Sequence, residues 1–127
     1  MTPRSLLLLG AASIVCYDAL AAVGSRTIGL PYALASVGSV ALYIVIGGTT
    51  ARLRSRTFGF IAGATTGIVD ASAGWWVSWL IGPGRPPSGS INLTQWLVTA
   101  AMVTTVGCVV AGISGVLATW GRRPIRV

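Results

Sequence analysis

Asp18 and Asp70 are the two acidic residues of a 127-residue chain, and each lies in a run that is otherwise small, apolar or aromatic. Asp70 sits in the stretch GIVDASAGWW, residues 67 to 76. A carboxyl so placed has two uses: it takes up and releases a proton or a small cation, or it holds one helix to another as a fixed hydrogen-bonding group. His, Lys and Glu are absent from the chain. That removes His-ligated metal or haem, Lys Schiff-base chemistry and most acid-base pairs. Paired aspartates also serve intramembrane hydrolysis, but that chemistry needs a positioned water and supporting motif residues, and the sequence carries no such motif. No catalytic residue, cofactor or metal is expected, and the chain does not read as an enzyme. Cys16 and Cys108 fall inside apolar runs at no metal-ligand spacing and read as packing residues.

The two acids stand in matching positions. Displacing the chain by 52 residues lays Arg4 on Arg56, Ala12 on Ala64, Asp18 on Asp70, Ala19 on Ala71, Ala21 on Ala73 and Pro31 on Pro83, without a gap. Each aspartate therefore lies between an Arg and a Pro, about 20 Å from either along a helix rising 1.5 Å per residue. The pattern implies a tandem repeat of a two-helix hairpin, residues 4–56 and 56–123, related by an axis along a membrane normal.

The elements that must carry these carboxyls follow from composition. Hydrophobic residues make up 54% of the chain, charged residues 9%, and the mean hydropathy is +0.80. A soluble domain needs more polar surface, so the sequence predicts an all-α integral membrane protein, a single bundle of four transmembrane helices. The expected spans are residues 6–23, 30–48, 58–81 and 96–120. The links between them hold Arg with Gly, Pro, Ser or Thr. Arg4, Arg52, Arg54, Arg56, Arg122, Arg123 and Arg126 fall at one end of such a bundle, and Arg26 and Arg85 at the other. That asymmetry places both termini in the cytoplasm of a multi-pass protein of the inner (plasma) membrane. Arg4, the run LLLLGAASIV and the Ala19-Leu20-Ala21 site also fit a cleavable signal peptide, which would leave three spans in the same orientation.

A charge at mid-bilayer costs about 3 kcal/mol on insertion scales, so such residues face a bundle interior or a wet cavity. Gly63, Gly67, Asp70 and Gly74 follow one helical stripe, with small residues that let backbones approach closely. The fourth span offers Ala100, Thr104, Gly107, Ala111, Ser114 and Ala118 on one face, and the first offers Ala11, Ile14, Asp18, Ala21 and Ser25. In the second span Tyr32, Ser36, Ser39 and Tyr43 share a face. Tyr43, Ser36, Ser39 and Thr104 are the expected partners of the carboxyls, with Gly63, Gly67, Gly74, Gly107 and Ala111 packing the helices. Trp75, Trp76, Trp79 and Trp96 gather at the expected outer boundary, where indoles favour the headgroup level.

Two functional readings stand side by side. In one, an oligomer of the chain translocates protons, cations or a small solute by way of Asp18 and Asp70. In the other, the chain is a non-catalytic membrane subunit or assembly factor whose aspartates only join helices. Either way the basic clusters meet anionic lipid headgroups, and the chain is a homo-oligomer or a subunit of a membrane complex. Nucleic acid is not an expected partner, because the arginines form no basic face or known module.

Overall fold

A computed structural model describes residues 1–85, 88–90 and 92–120, all of whose regular structure is helical. Thr2 opens the first helix, α1 (Pro3–Ile28), by accepting the Ser5 N–H on its hydroxyl at 3.2 Å, and Pro3 fills a first-turn position that needs no donor. Gly29 ends α1 at φ +69°, a conformation that side chains with a Cβ disfavour. Pro31 then leads into a short 3-10 turn, Tyr32–Leu34, before α2 (Ala35–Leu53) begins. Tyr32 thus stands on a 3-10 turn ahead of α2, on the side that also carries Ser36, Ser39 and Tyr43. Arg54 and Ser55 turn the chain sharply, and Ser55 caps α3 (Arg56–Val69) by accepting the Phe58 N–H at 3.1 Å.

Past α3 the helix does not stop. Asp70–Gly74 forms a π turn, marked by the Trp75 N–H reaching back to the Asp70 carbonyl, and α4 (Trp75–Ile81) continues from it with Asp70, Gly74 and Trp75 all in right-handed helical conformation. Gly82 ends this rod at φ +130°. After a link through Gly84 and Ser90, Asn92 caps α5 (Leu93–Thr119) by accepting the Thr94 N–H at 2.9 Å. The helices start and stop within a few residues of the expected spans, with α1 running further at both ends.

Three helical segments are long and apolar enough to cross a membrane: Pro3–Ile28, Tyr32–Leu53 and Leu93–Thr119. Neither α3 nor α4 reaches that length alone, because the π turn divides their rod. Large apolar side chains such as Leu8, Leu20, Val45, Met102 and Leu117 point outward. A water-soluble bundle would bury them, so this surface fits a hydrocarbon surround.

The rods pack as a diamond rather than a square. α2 and α3 lie against each other, α5 flanks both on one side and α1 on the other, and α1 does not touch α5. Toward the end that carries Arg52, Arg54 and Arg56, α2, α3 and α5 meet backbone to backbone. A Cβ on Gly47 would fall on the backbone of Ala111, and one on Gly63 on the Ala111 side chain and the Gly107 carbonyl. A Cβ on Gly67 would come within 2.8 Å of the Thr104 Cα. Lipid supplies no hydrophobic drive between helices, so this close dispersion contact is what holds them. Ser114 donates to the Ile44 carbonyl at 2.6 Å, and Arg52 to the Ala118 carbonyl at 3.1 Å near the end of α5.

The other end, which carries the tryptophans, is splayed. α4 packs on α1 and the π turn but makes no contact with α5. The π turn is where the rod leaves α5 and leans on α1.

Candidate functional site

The splay opens directly above the carboxyls. Asp18 lies on the buried ridge of α1, Leu6, Gly10, Ile14, Asp18 and Ala22, whose regular four-residue spacing points it into the bundle. The ridge runs through Ala22 rather than the expected Ala21. Asp70 opens the π turn, and the Asp18 and Asp70 carboxyls converge beside Gly74 and line the same cavities. Gly74, one turn on, leaves the space that Asp18 occupies, and a Cβ there would strike the Asp18 carboxyl. The expected stripe Gly63, Gly67, Asp70, Gly74 is therefore not one face: Gly63 and Gly67 meet α5, while Gly74 meets α1. The extra residue of the π turn produces that rotation.

The two carboxyls have unlike surroundings. Tyr43, 2% exposed, donates its hydroxyl to Asp70 Oδ2. Asp18 is 4% exposed, and its Oδ2 is buried with no donor among the described residues. Two ionised carboxylates placed side by side repel each other, and a proton or cation between them relieves that repulsion. Asp70 is thus tethered by Tyr43, while Asp18 Oδ2 is left without a partner among the described residues.

A second set of bonds braces the π turn. The Trp96 indole N–H donates to the Ala71 carbonyl at 3.2 Å, and the Ser72 hydroxyl to the Ile68 carbonyl at 2.6 Å. Tyr32 donates to Ser78, and Ser78, fully buried, donates to the Gly74 carbonyl at 3.1 Å. Wide turns leave carbonyls poorly served by the helix, and these side chains serve two of them.

Two cavities reach the pair. One, of about 300 Å³, rises between the π turn and the start of α5, and is lined by Asp18, Tyr32, Asp70, Trp75, Trp96 and Thr99, with Gly84, Asn92 and Gln95 toward the link. The other, of about 490 Å³, opens sideways between α2 and α5 past Ser36, Ser39, Tyr43, Met102 and Val106. Of the expected carboxyl partners, then, Tyr43 bonds Asp70. Ser36 lines the lateral cavity and gives its hydroxyl to the Ala33 carbonyl at 2.7 Å, and Ser39 lines the same wall. Thr104 lies beneath Gly67 with no hydrogen bond to either carboxyl, because the backbone contact there draws α5 below the pair. Gly107 and Ala111 pack α5 onto α2 and α3. Tyr17 turns away, donating to the Ala35 carbonyl at 2.9 Å. Among the described residues no cluster of His, Cys or acidic side chains could hold a metal.

Sequence reasoning passed over Trp96, Gln95, Thr99 and Asn92. Their signal was readable, since Asn92, Gln95, Thr99 and Val103 follow helical spacing on one face of α5. Trp96 was assigned to the interface by its position, and nothing local shows that its N–H meets the π turn. Among the other indoles, Trp76 and Trp79 stack edge to face at 4.9 Å, and Arg85 lies over the Trp79 ring at 5.8 Å.

Tyr43→Phe is expected to cost about 1–3 kcal/mol, because Asp70 loses its one phenolic donor inside the bundle. Unfolding by sodium dodecyl sulfate in mixed micelles measures it, and a variant as stable as the parent would show that the bond carries no weight.

The fold and its site define an all-helical protein suited to a membrane, with an acidic pair at the floor of a cleft. Compared with family models, curated proteins and solved structures, the chain matches none.

Proposed function

We propose that this chain is a four-span protein of the cell membrane that passes a proton or small cation by way of the Asp18–Asp70 pair, assembled as an oligomer and without enzymatic activity. The observation that carries the reading is the unsatisfied Oδ2 of Asp18 facing a second carboxyl beside a cavity. A group kept only to join helices is expected to have its oxygens filled by donors.

The rod through residues 56–81 is the fourth span in this reading, since its π turn interrupts the α geometry without ending the helix. Both termini then lie in the cytoplasm with Arg52, Arg54 and Arg56, beside anionic headgroups. Arg122, Arg123 and Arg126 of the sequence add to that count, and they lie outside the described residues. The meeting of Asp18 and Asp70 supports the tandem hairpin repeat, whose end at residue 123 also lies outside them. The glycine-packed half leaves one protomer no continuous path, so the route is completed between copies.

The second reading, helix joining within a membrane complex, is favoured by the Tyr43 bond to Asp70, which ties α2 to the α3 rod. Proteoliposomes under proton and cation gradients separate the two. Flux through the parent chain that falls to the empty-liposome level in Asp18→Asn and Asp70→Asn supports translocation. Absent flux in the parent, or unchanged flux in both variants, overturns it in favour of the structural role.

A further inference from the structure

We propose that the 300 Å³ cavity above the carboxyl pair is a binding site for a protonated organic amine with a compact aromatic or apolar body. The proposal rests on the reading of the pair as a cation-handling centre and names the class of cation.

The charge of the site comes first. Among the described residues two aspartates line the cavity and no arginine does, so its walls favour a cation. A pair sharing one proton carries a single negative charge, which suits a monocation. The chemistry of the walls then separates organic from inorganic. Calcium takes six to eight oxygen ligands, and magnesium an octahedral shell. Here the carboxyls are flanked by Trp75, Trp96 and Tyr32, with Ala71 and Val103 completing an apolar wall. Aromatic faces attract an organic ammonium by cation-π interaction and pack on its hydrocarbon part.

The hydrogen-bond inventory narrows the class again. Asp18 Oδ2 is buried and lacks a donor. An ammonium with an N–H supplies one and a quaternary ammonium does not. Asn92, Gln95 and Thr99 add neutral polar groups around the rest of the cavity. Its volume is at the small end of ligand pockets, which run from about 300 to 1,000 Å³, so the body is one ring rather than several. The lateral cavity between α2 and α5 meets the same carboxyls, and gives an apolar amine a way in from the lipid side.

Isothermal titration of the purified full chain in detergent tests this with benzylamine, benzyl alcohol and benzyltrimethylammonium. Benzylamine is expected to bind saturably and benzyl alcohol, its neutral counterpart, not to bind. The quaternary probe is expected to bind more weakly than benzylamine. Asp18→Asn should weaken benzylamine roughly tenfold or more, the usual scale for losing one side of a buried charge pair. Trp75→Leu, which removes an aromatic face from the cavity, gives a second loss should the first variant elute as an aggregate. Gly24→Ala, remote from the cavity, should bind as the parent does. Equal affinity for amine and alcohol, binding that survives both Asp18→Asn and Trp75→Leu, or no benzylamine binding by the folded parent would overturn the proposal. Aspartate-dependent flux without amine binding sinks this inference alone. Amine binding without flux leaves the site standing and sinks translocation.

Discussion

Asp18→Asn should leave the bundle at least as stable as the parent, and more stable by about 1.5–3 kcal/mol, the scale of a hydrogen bond to a charged group. The sign is the point. In the native pair two carboxyls face each other, and Asp18 Oδ2 has no donor. An Asn at position 18 has nearly the same shape and brings an amide N–H2 that can donate to Asp70. Asp70→Asn works in the other direction: its amide oxygen can still accept from Tyr43 while its N–H2 donates to Asp18. Unfolding in mixed micelles at neutral pH measures both. A loss of stability above about 2 kcal/mol, the cost of a buried group left unpaired, would mean that the carboxyls are chiefly mortar between helices. Gain of stability with loss of flux would be the signature of a site that gives up stability for function.

Gly47→Ala carries the other large expected effect. The added methyl would lie on the Ala111 backbone, which no rotamer change can relieve, so α5 must move off α2 as a whole. Overpacking costs about 1–3 kcal/mol where side chains can yield, and this site belongs at or above the upper end. Gly47→Leu should not give a folded monodisperse protein. Gly24 is the control: a Cβ there meets nothing closer than Leu30 Cδ1 at 3.9 Å, so Gly24→Ala should be neutral or stabilising by up to about 1 kcal/mol through helix propensity. The comparison is read from unfolding midpoints of the two alanine variants. Equal midpoints would show that the close approach at Gly47 does not govern stability.

How much of this was legible in the residues depends on what each feature competes with. A lone acid in an apolar run is costly whether it joins helices or handles charge, so Asp18 and Asp70 were conspicuous, and helical spacing pointed Tyr43 toward them. The small-residue faces of α3 and α5 were readable for the same reason, since Gly63, Gly67, Gly107 and Ala111 recur at helical intervals. The π turn was not. Asp-Ala-Ser-Ala-Gly permits a wide turn without requiring one, because the choice is made by contacts with α1 and Trp96 that are distant in sequence. Tyr32 does line the lateral cavity with Ser36, Ser39 and Tyr43, but the 3-10 turn after Pro31 that carries it is a small local energy difference that spacing does not reveal. Thr104 shared a face with Gly107, yet the face is set lower than the carboxyls by the backbone contact at Gly67.

The inserted turn also has a geometric meaning. α1 runs past Asp18 as plain α-helix, while the rod that carries Asp70 contains an extra residue just there. In the proposed tandem repeat, the two hairpins would not superpose across such a dislocation. One acid is held by a tyrosine and the other is bare, so the centre has a front and a back. In the proposed site a cation descending past Trp75 and Trp96 would meet unlike neighbours on its two sides, so the pair would work as a keyway that admits one orientation.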